Sequence, residues 1–326
     1  MPIEQLKNNV DASEQEERRS SPSHPLISVV IPTYNPKDEI LKASLDSVLN
    51  QTYRNIEIRL IDDGSETDVF PLVEALNDAR IHYRKLPHAN ANVARNYGMD
   101  QSSGSYIAML DADDLWKENH LDDCLHTLRN SSADGLYGSL ILRNPSNQTE
   151  NTVRVRERRV DESMIDYLLS TGYGAQTSTL FMRAETAKDI RWNPALRRHQ
   201  DYDFVVRYSK KYRWIPKPEA TVIYRMGHSL NTEIDFRSCI RFIKENEKDI
   251  HPALYNKYHQ NMLSLARRLN ASQEIESHYR KEATRCKEYL SYAHFLQIRQ
   301  PQSPYELLKL KLAYLFYILR IGVETG

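Results

Sequence analysis

Between Leu26 and Asn144 the chain switches repeatedly from short apolar, β-branched runs to segments with helical spacing, joined by brief polar connections. "LISVVIPTYN" is an apolar run ending in Pro and Asn, the pattern of a strand buried on both faces. "EILKASLDSVLNQ" then places Ile40, Leu41, Leu45, Val48 and Leu49 on one helical face. "NIEIRLIDDGS", "RIHYRKL", "GSYIAML" and "ADGLYGSLILRN" read as further strands. "DVFPLVEALN", with Pro71 in its first turn, "NVARNYGMDQS" and "ENHLDDCLHTLRNS" read as the helices between them. This alternation predicts an α/β fold with a mostly parallel sheet flanked by helices. In such open sheets ligands bind beyond the carboxyl ends of the strands. The polar clusters "PTYN", "DDGS" and "DADD" fall at those ends, so they converge on one edge.

Residues 151–230 are less regular. "RVRERRV" reads as an edge strand or loop, "DESMIDYLLSTG" as a helix, "TSTLFMRA" as a strand, "QDYDFVVRYSKKY" as a helix and "ATVIYRM" as a last strand; from about Asp235 the pattern is helical. The expected division is a polar, disordered tail over residues 1–24, an α/β domain over 25–234 and a helical C-terminal region over 235–326. The tail lacks the apolar core of a signal peptide. The three cysteines are far apart and form no C-x-x-C, so neither a disulfide framework nor a zinc site is expected, and a reducing cytoplasm is the simplest location. The sequons at Asn50, Asn147 and Asn270 are then chance matches. With 44 basic and 44 acidic residues the formal charge is zero, which gives no bias towards nucleic acid.

The densest polar cluster is "MLDADDLW". In an extended turn Asp111 and Asp113 point the same way, and two converging carboxylates repel unless a cation lies between them. Mg²⁺ or Mn²⁺ suits such oxygens, with Asp113 the leading ligand. Asp114 has the alternative of capping a helix that begins near Lys117. In "IDDGS", Asp63 can accept the imide N–H of a uracil, although turn chemistry alone also explains the pair. Tyr34 can lie against a base while Pro32 fixes the backbone, or it can be an aromatic at the edge of the core. Arg95, in "NVARNYG", can pair with Asp111 or a phosphate, or be a plain surface arginine.

The ordered series "VVIPTYN", "LIDDGS", "ANVARNYGMDQSSGSYIAMLDADD" resembles inverting glycosyltransferases of family 2, with the GT-A (Rossmann-like) fold, over about Ser28 to Arg225. The resemblance implies transfer of a sugar from a nucleotide-sugar, most often UDP-linked, with a divalent metal (Mn²⁺ or Mg²⁺) on the diphosphate. Pro32, Tyr34 and Asp63 would then bracket the nucleoside and Asp62 would support its turn. Arg95 would hold the site, Asp111 would face ribose or sugar, and Asp113 would bind the metal. The family's general base opens a helix in an "ED-x-D-F" segment; here "HQDYDF" places Asp201 as the base, followed by Asp203 and Phe204. Gln200 stands where the pattern has Glu, so tuning of the base would have to come from His199 or from Asp203. His228 is a further candidate metal ligand, and Gln176 and Thr177 are candidates for the donor or acceptor side.

After Asp235 the resemblance fades. Residues 237–326 hold 15 Lys/Arg and 9 Asp/Glu. The apolar, basic segment 305–323 is expected either to lie on an anionic membrane surface, placing the enzyme at the inner face and near a lipid-linked acceptor, or to pack in a core or homodimer. The contrasting functional class is a nucleotide-sugar-binding protein without turnover. A nucleotidyltransferase on a similar fold is disfavoured, because "PTYNPKDE" is not a Gly-rich, basic phosphate loop.

Overall fold

The computed structural model describes residues 24–144, 146–147, 149–172, 174–226 and 234–285. His228 and the segment 305–323 lie outside them. The described chain forms two compact units. One runs to Val160 and resumes over Thr171–Phe242; the other joins Asp161–Ser170 to the residues from Ile243 on.

The first unit holds the sheet. Strands β1 (Ile27–Thr33), β2 (Ile56–Asp62), β3 (Ile81–Lys85) and β4 (Tyr106–Met109) pair in parallel in the order β3-β2-β1-β4. Helices α1 (Asp38–Leu49), α2 (Phe70–Leu76) and α3 (Ala91–Asp100) make the crossovers. Every residue of β1 is buried, which is why it reads as an unbroken apolar run. Pro32 has no N–H to donate, yet it sits in this central strand. It is tolerated because β4 pairs with β1 only as far as Val30.

Beyond β4 the sheet becomes mixed. β6 (Gly135–Arg143) follows β5 (Leu115–Trp116) and α4 (His120–Arg129), but it does not join β4. β8 (Phe181–Arg183) lies between them, antiparallel to both. β7 (Glu150–Val153) edges β6 on its way to α5 (Met164–Thr171). After β8 come α6 (Ala184–Ile190), α7 (Gln200–Ser209) and β9 (Trp214–Arg225), which pairs in parallel with β6 and antiparallel with β5. The carboxyl ends of β1, β2, β4 and β9 therefore face one edge.

In the second unit, α9 (Pro252–Arg268) and α10 (Gln273–Glu282) form a helical hairpin, following α8 (Phe236–Asn246). Ser163 Oγ donates to the Asp249 carbonyl at 2.7 Å and His251 N donates to Asp166 Oδ1 at 2.8 Å, which fastens the 161–170 segment to this unit. No helix of the described residues is long and apolar enough to cross a membrane.

The turn after β2 depends on one glycine. Gly64 has φ +78°, and a Cβ there would stand 2.6 Å from the backbone nitrogen of His88. Gly64→Ala should therefore cost about 2 kcal/mol or more, from left-handed strain plus a backbone clash. Urea unfolding at constant m-value checks this.

Candidate active site

Two turns build one wall. Asn35 takes a left-handed conformation, φ 44°, at the end of β1. Its N–H donates to Ser65 Oγ at 2.8 Å and its Oδ1 accepts from Glu66 N at 2.7 Å, locking "PTYN" to "DDGS". The paired aspartates then diverge, as successive residues leaving a strand do. Asp62 turns inward, where Oδ1 accepts from Ser65 N at 2.8 Å and Ser65 Oγ at 2.6 Å, and Oδ2 from the Tyr83 hydroxyl at 2.9 Å. Asp63 faces the other way. Its Oδ1 accepts from Ala89 N at 2.9 Å and its Oδ2 lies 3.0 Å from His88 Nδ1. The His88 ring stacks on Tyr34 with centroids 4.3 Å apart, while Tyr34 stays 40% exposed. Sequence reasoning missed His88; a lone histidine between a strand and a helix carries no spacing signal.

The aspartate cluster is a closed turn rather than an extended one, with Asp114 N donating to the Asp111 carbonyl at 3.0 Å. Asp111 Oδ1 pairs with Arg95 Nη2 at 2.7 Å, and the Asp111 N–H donates to Ser178 Oγ at 3.0 Å. Asp114 is not a helix cap, because β5 intervenes and α4 begins only at His120. Its buried carboxylate instead accepts from Gln176 Nε2 at 2.9 Å and Ser178 Oγ at 2.6 Å. Burial, then the charges of Asp113 and Asp111, hold its pKa well above the usual carboxylate range. Arg225, at the end of β9, donates from its guanidinium to the carbonyls of Asp113 and Ile40 and clamps the turn from behind. Asp113 is raised to about 6, first by burial and then by Asp111.

Gln176 and Thr177 are buried beside this turn and do not line the cavity. Gln176 Oε1 caps the short 3₁₀ turn Thr177–Thr179 by accepting from Ser178 N at 2.8 Å, which aims its amide nitrogen at Asp114.

Pro32, Tyr34, Asp63, Arg95, Asp111 and Asp113 all line one cavity of about 550 Å³. Lys37, just before α1, lines it as well; sequence reasoning had not singled it out. Asp201 does not line this cavity and sits in the first turn of α7. The link between them is Arg95, whose Nη1 donates to Gln200 Oε1 at 2.7 Å. Asp201 Oδ1 accepts from Tyr202 N at 2.9 Å. Burial, with a contribution from Asp111, raises its pKa to about 6. Neither expected tuning group is among the main causes of this shift. Asp203 is paired with Arg207 at 2.7 Å, and burial pushes the His199 imidazole down to about 3, so it stays neutral.

Among the described residues no group of three acidic, histidine or cysteine side chains is arranged to hold a metal ion. The donor set at the cavity still suits one. Asp111 and Asp113 are hard oxygen donors whose mutual repulsion a cation would relieve, and Mg²⁺ takes one or two carboxylates and completes its shell from phosphates and water.

The family model "Glycosyl transferase family 2" matches residues 28–190, half of the chain. The chain belongs to glycosyl transferase family 2. This glycosyltransferase is 30% identical over 216 residues to the amylovoran biosynthesis glycosyltransferase AmsB of Erwinia amylovora, across 61% of this chain and 71% of that protein. It is 39% identical over 102 residues to the Escherichia coli UDP-Glc:alpha-D-GlcNAc-diphosphoundecaprenol beta-1,3-glucosyltransferase WfaP, a match spanning 31% of this chain and 40% of that one. Among solved structures, S. aureus TarS 1–349 in complex with UDP-GlcNAc superposes with a TM-score of 0.61 at 15% identity, covering 83% of each chain. That likeness establishes the fold of the family 2 enzyme, the GT-A arrangement expected from its motifs.

Proposed function

We propose that this glycosyltransferase moves a sugar from a UDP-sugar to a hydroxyl of a glycan or lipid-linked acceptor with inversion of configuration. The observation that carries this reading is the convergence of Pro32, Tyr34, Asp63, Arg95, Asp111 and Asp113 on one cavity, joined through Arg95 to Gln200, the residue next to Asp201. Tyr34 offers a ring face to a base and Asp63 an acceptor for the uracil imide. Lys37 and Arg95 supply positive charge for the diphosphate. The UDP donor in the TarS complex and the diphosphate-lipid acceptor in the name of WfaP support the two substrate classes.

Asp201 acts as the general base. Its carboxylate takes the proton of the acceptor hydroxyl as that oxygen attacks the anomeric carbon from the face opposite the diphosphate. The bond from anomeric carbon to diphosphate oxygen breaks, and its electron pair leaves with UDP. An α-linked donor yields a β-linked product. A pKa of about 6 suits this role, since the group is ionised at neutral pH yet holds a proton better than an ordinary Asp. Mn²⁺ or Mg²⁺ held by Asp113 would supply charge that stabilises the leaving diphosphate.

The test is UDP release from UDP-glucose and UDP-GlcNAc with Mn²⁺ and a GlcNAc-diphosphate-lipid acceptor. Because the base must be ionised, kcat should be level above pH 7 and fall below pH 6, to about a tenth of its plateau at pH 5. UDP binding without release across donors and acceptors would favour the non-catalytic binding protein instead.

A further inference from the structure

The neutral side chain before the base is held by both ends of its amide. Gln200 Nε2 donates to the Arg197 carbonyl at 2.8 Å, and this bond aims Oε1 at Arg95, 2.7 Å away. Arg95 is itself confined. Nη1 also donates to Asn92 Oδ1 at 3.0 Å, Nη2 meets Asp111 at 2.7 Å, and the guanidinium lies 4.5 Å over the Trp192 ring. The Trp192 backbone is fixed by two hydrogen bonds with the Asn96 side chain, both 2.8 Å, and its ring stacks on Phe204 with centroids 4.6 Å apart. The charged groups acting on Asp201 from other elements are Asp111, which raises its proton affinity, and Arg95, which lowers it. On its own helix Asp203 is neutralised by Arg207.

We propose that Gln200 is a positioning residue that holds the Arg95 guanidinium between Asp111 and Asp201, so that one cation serves both the donor side and the base. This rests on the functional reading above. An amide suits the position because it accepts a hydrogen bond without claiming the charge. A carboxylate at position 200 would take that charge for itself and set a second anion beside Asp201. An apolar side chain would leave Arg95 on Asp111 and Asn92, with nothing to hold it toward Asp201.

Two variants test this by two readouts. In Gln200→Glu the acceptor atom remains, so kcat at pH 8.5 should stay within about twofold of wild type while the acidic limb moves up by about one pH unit. In Gln200→Met kcat should fall about tenfold on the plateau while donor KM changes by no more than about twofold, because Arg95 keeps its pairing with Asp111 in the cavity and loses only its hold toward the base. The second readout needs no turnover: ¹³C carboxyl titration of aspartate-labelled protein, with Asp201 assigned by its loss in Asp201→Asn. Asp201 should titrate higher in both variants than in wild type. The proposal is overturned if Gln200→Met titrates with wild type, or if Gln200→Glu loses the same activity at every pH. Should the wild type bind UDP and release none, the functional reading fails on its own, and the titration still decides the role of Gln200.

Discussion

Asp201→Asn should retain UDP and lose transfer. The expected fall in kcat is roughly 10³-fold, within the range for removal of a general base. UDP affinity should change by no more than about twofold, because Asp201 is absent from the cavity lining. The same variant should melt higher than wild type at pH 7. The folded-state pKa of Asp201 lies above its unfolded value, so its ionised form opposes folding above about pH 6, and that cost vanishes as pH falls below about 4. Asparagine keeps the acceptor for Tyr202 N without the charge. The gain should be on the order of 1–3 kcal/mol at pH 7 and should shrink on acidification through pH 6 towards 4. All other titrating groups are shared by the two proteins, so the difference between their melting curves isolates this one carboxylate. A variant that is inactive, more stable and still binds UDP identifies the base; one that melts lower or retains transfer removes Asp201 from that role.

The second large effect is expected at Asp113. Asp113→Asn keeps the size of the side chain and removes one of the three carboxylates that line the cavity. Transfer should fall about 10²- to 10³-fold, comparable to the loss of one major electrostatic contact to the leaving group. A binding readout separates this from a folding defect. With UDP and Mn²⁺ together, wild type should gain about 3 kcal/mol at a hundredfold excess over Kd, and the variant should lose the part of that gain that depends on Mn²⁺. If its melting temperature still rises with Mn²⁺ as in wild type, the cation is held elsewhere.

The half of the fold closest to the amino terminus was legible because each of its elements has a local signature. β1 is an unbroken apolar run, α2 carries its proline in the first turn, and the polar clusters fall where chain direction puts strand ends. The rest depends on pairings across about 45 to 110 residues, for which one-dimensional spacing holds no signal. The segment "TSTLFMR" reads as one strand, yet its first three residues form a 3₁₀ turn and only Phe181–Arg183 pair, antiparallel, between β4 and β6. β9 runs to 12 residues although Pro216 and Pro218 argue against a strand: Pro216 stays in register opposite Tyr137, and the register shift between Gly138 and Leu140 takes up Pro218. In the site, Pro32, Tyr34, Asp63, Arg95, Asp111 and Asp113 could be read from three motifs near one sheet edge. Arg225 and His88 could not, since each acts on a motif from another segment. Gln200 could be read only as a departure, and its bond to Arg95 gives that departure a physical content.

The anchoring of Asp114 bears on how the chain matures as it is made. Its carboxylate rests on Gln176 and Ser178, and the clamp on the same turn comes from Arg225. A nascent chain that has emerged only as far as Asn144 possesses the four parallel strands β1 to β4 but none of these three side chains. Until they follow, the acidic turn holds three like charges with no donors for the innermost one. The Asp111–Asp114 turn is thus among the last parts of the sheet unit to be completed, and a ribosome-bound half-chain has the four parallel strands without the side chains that anchor this turn.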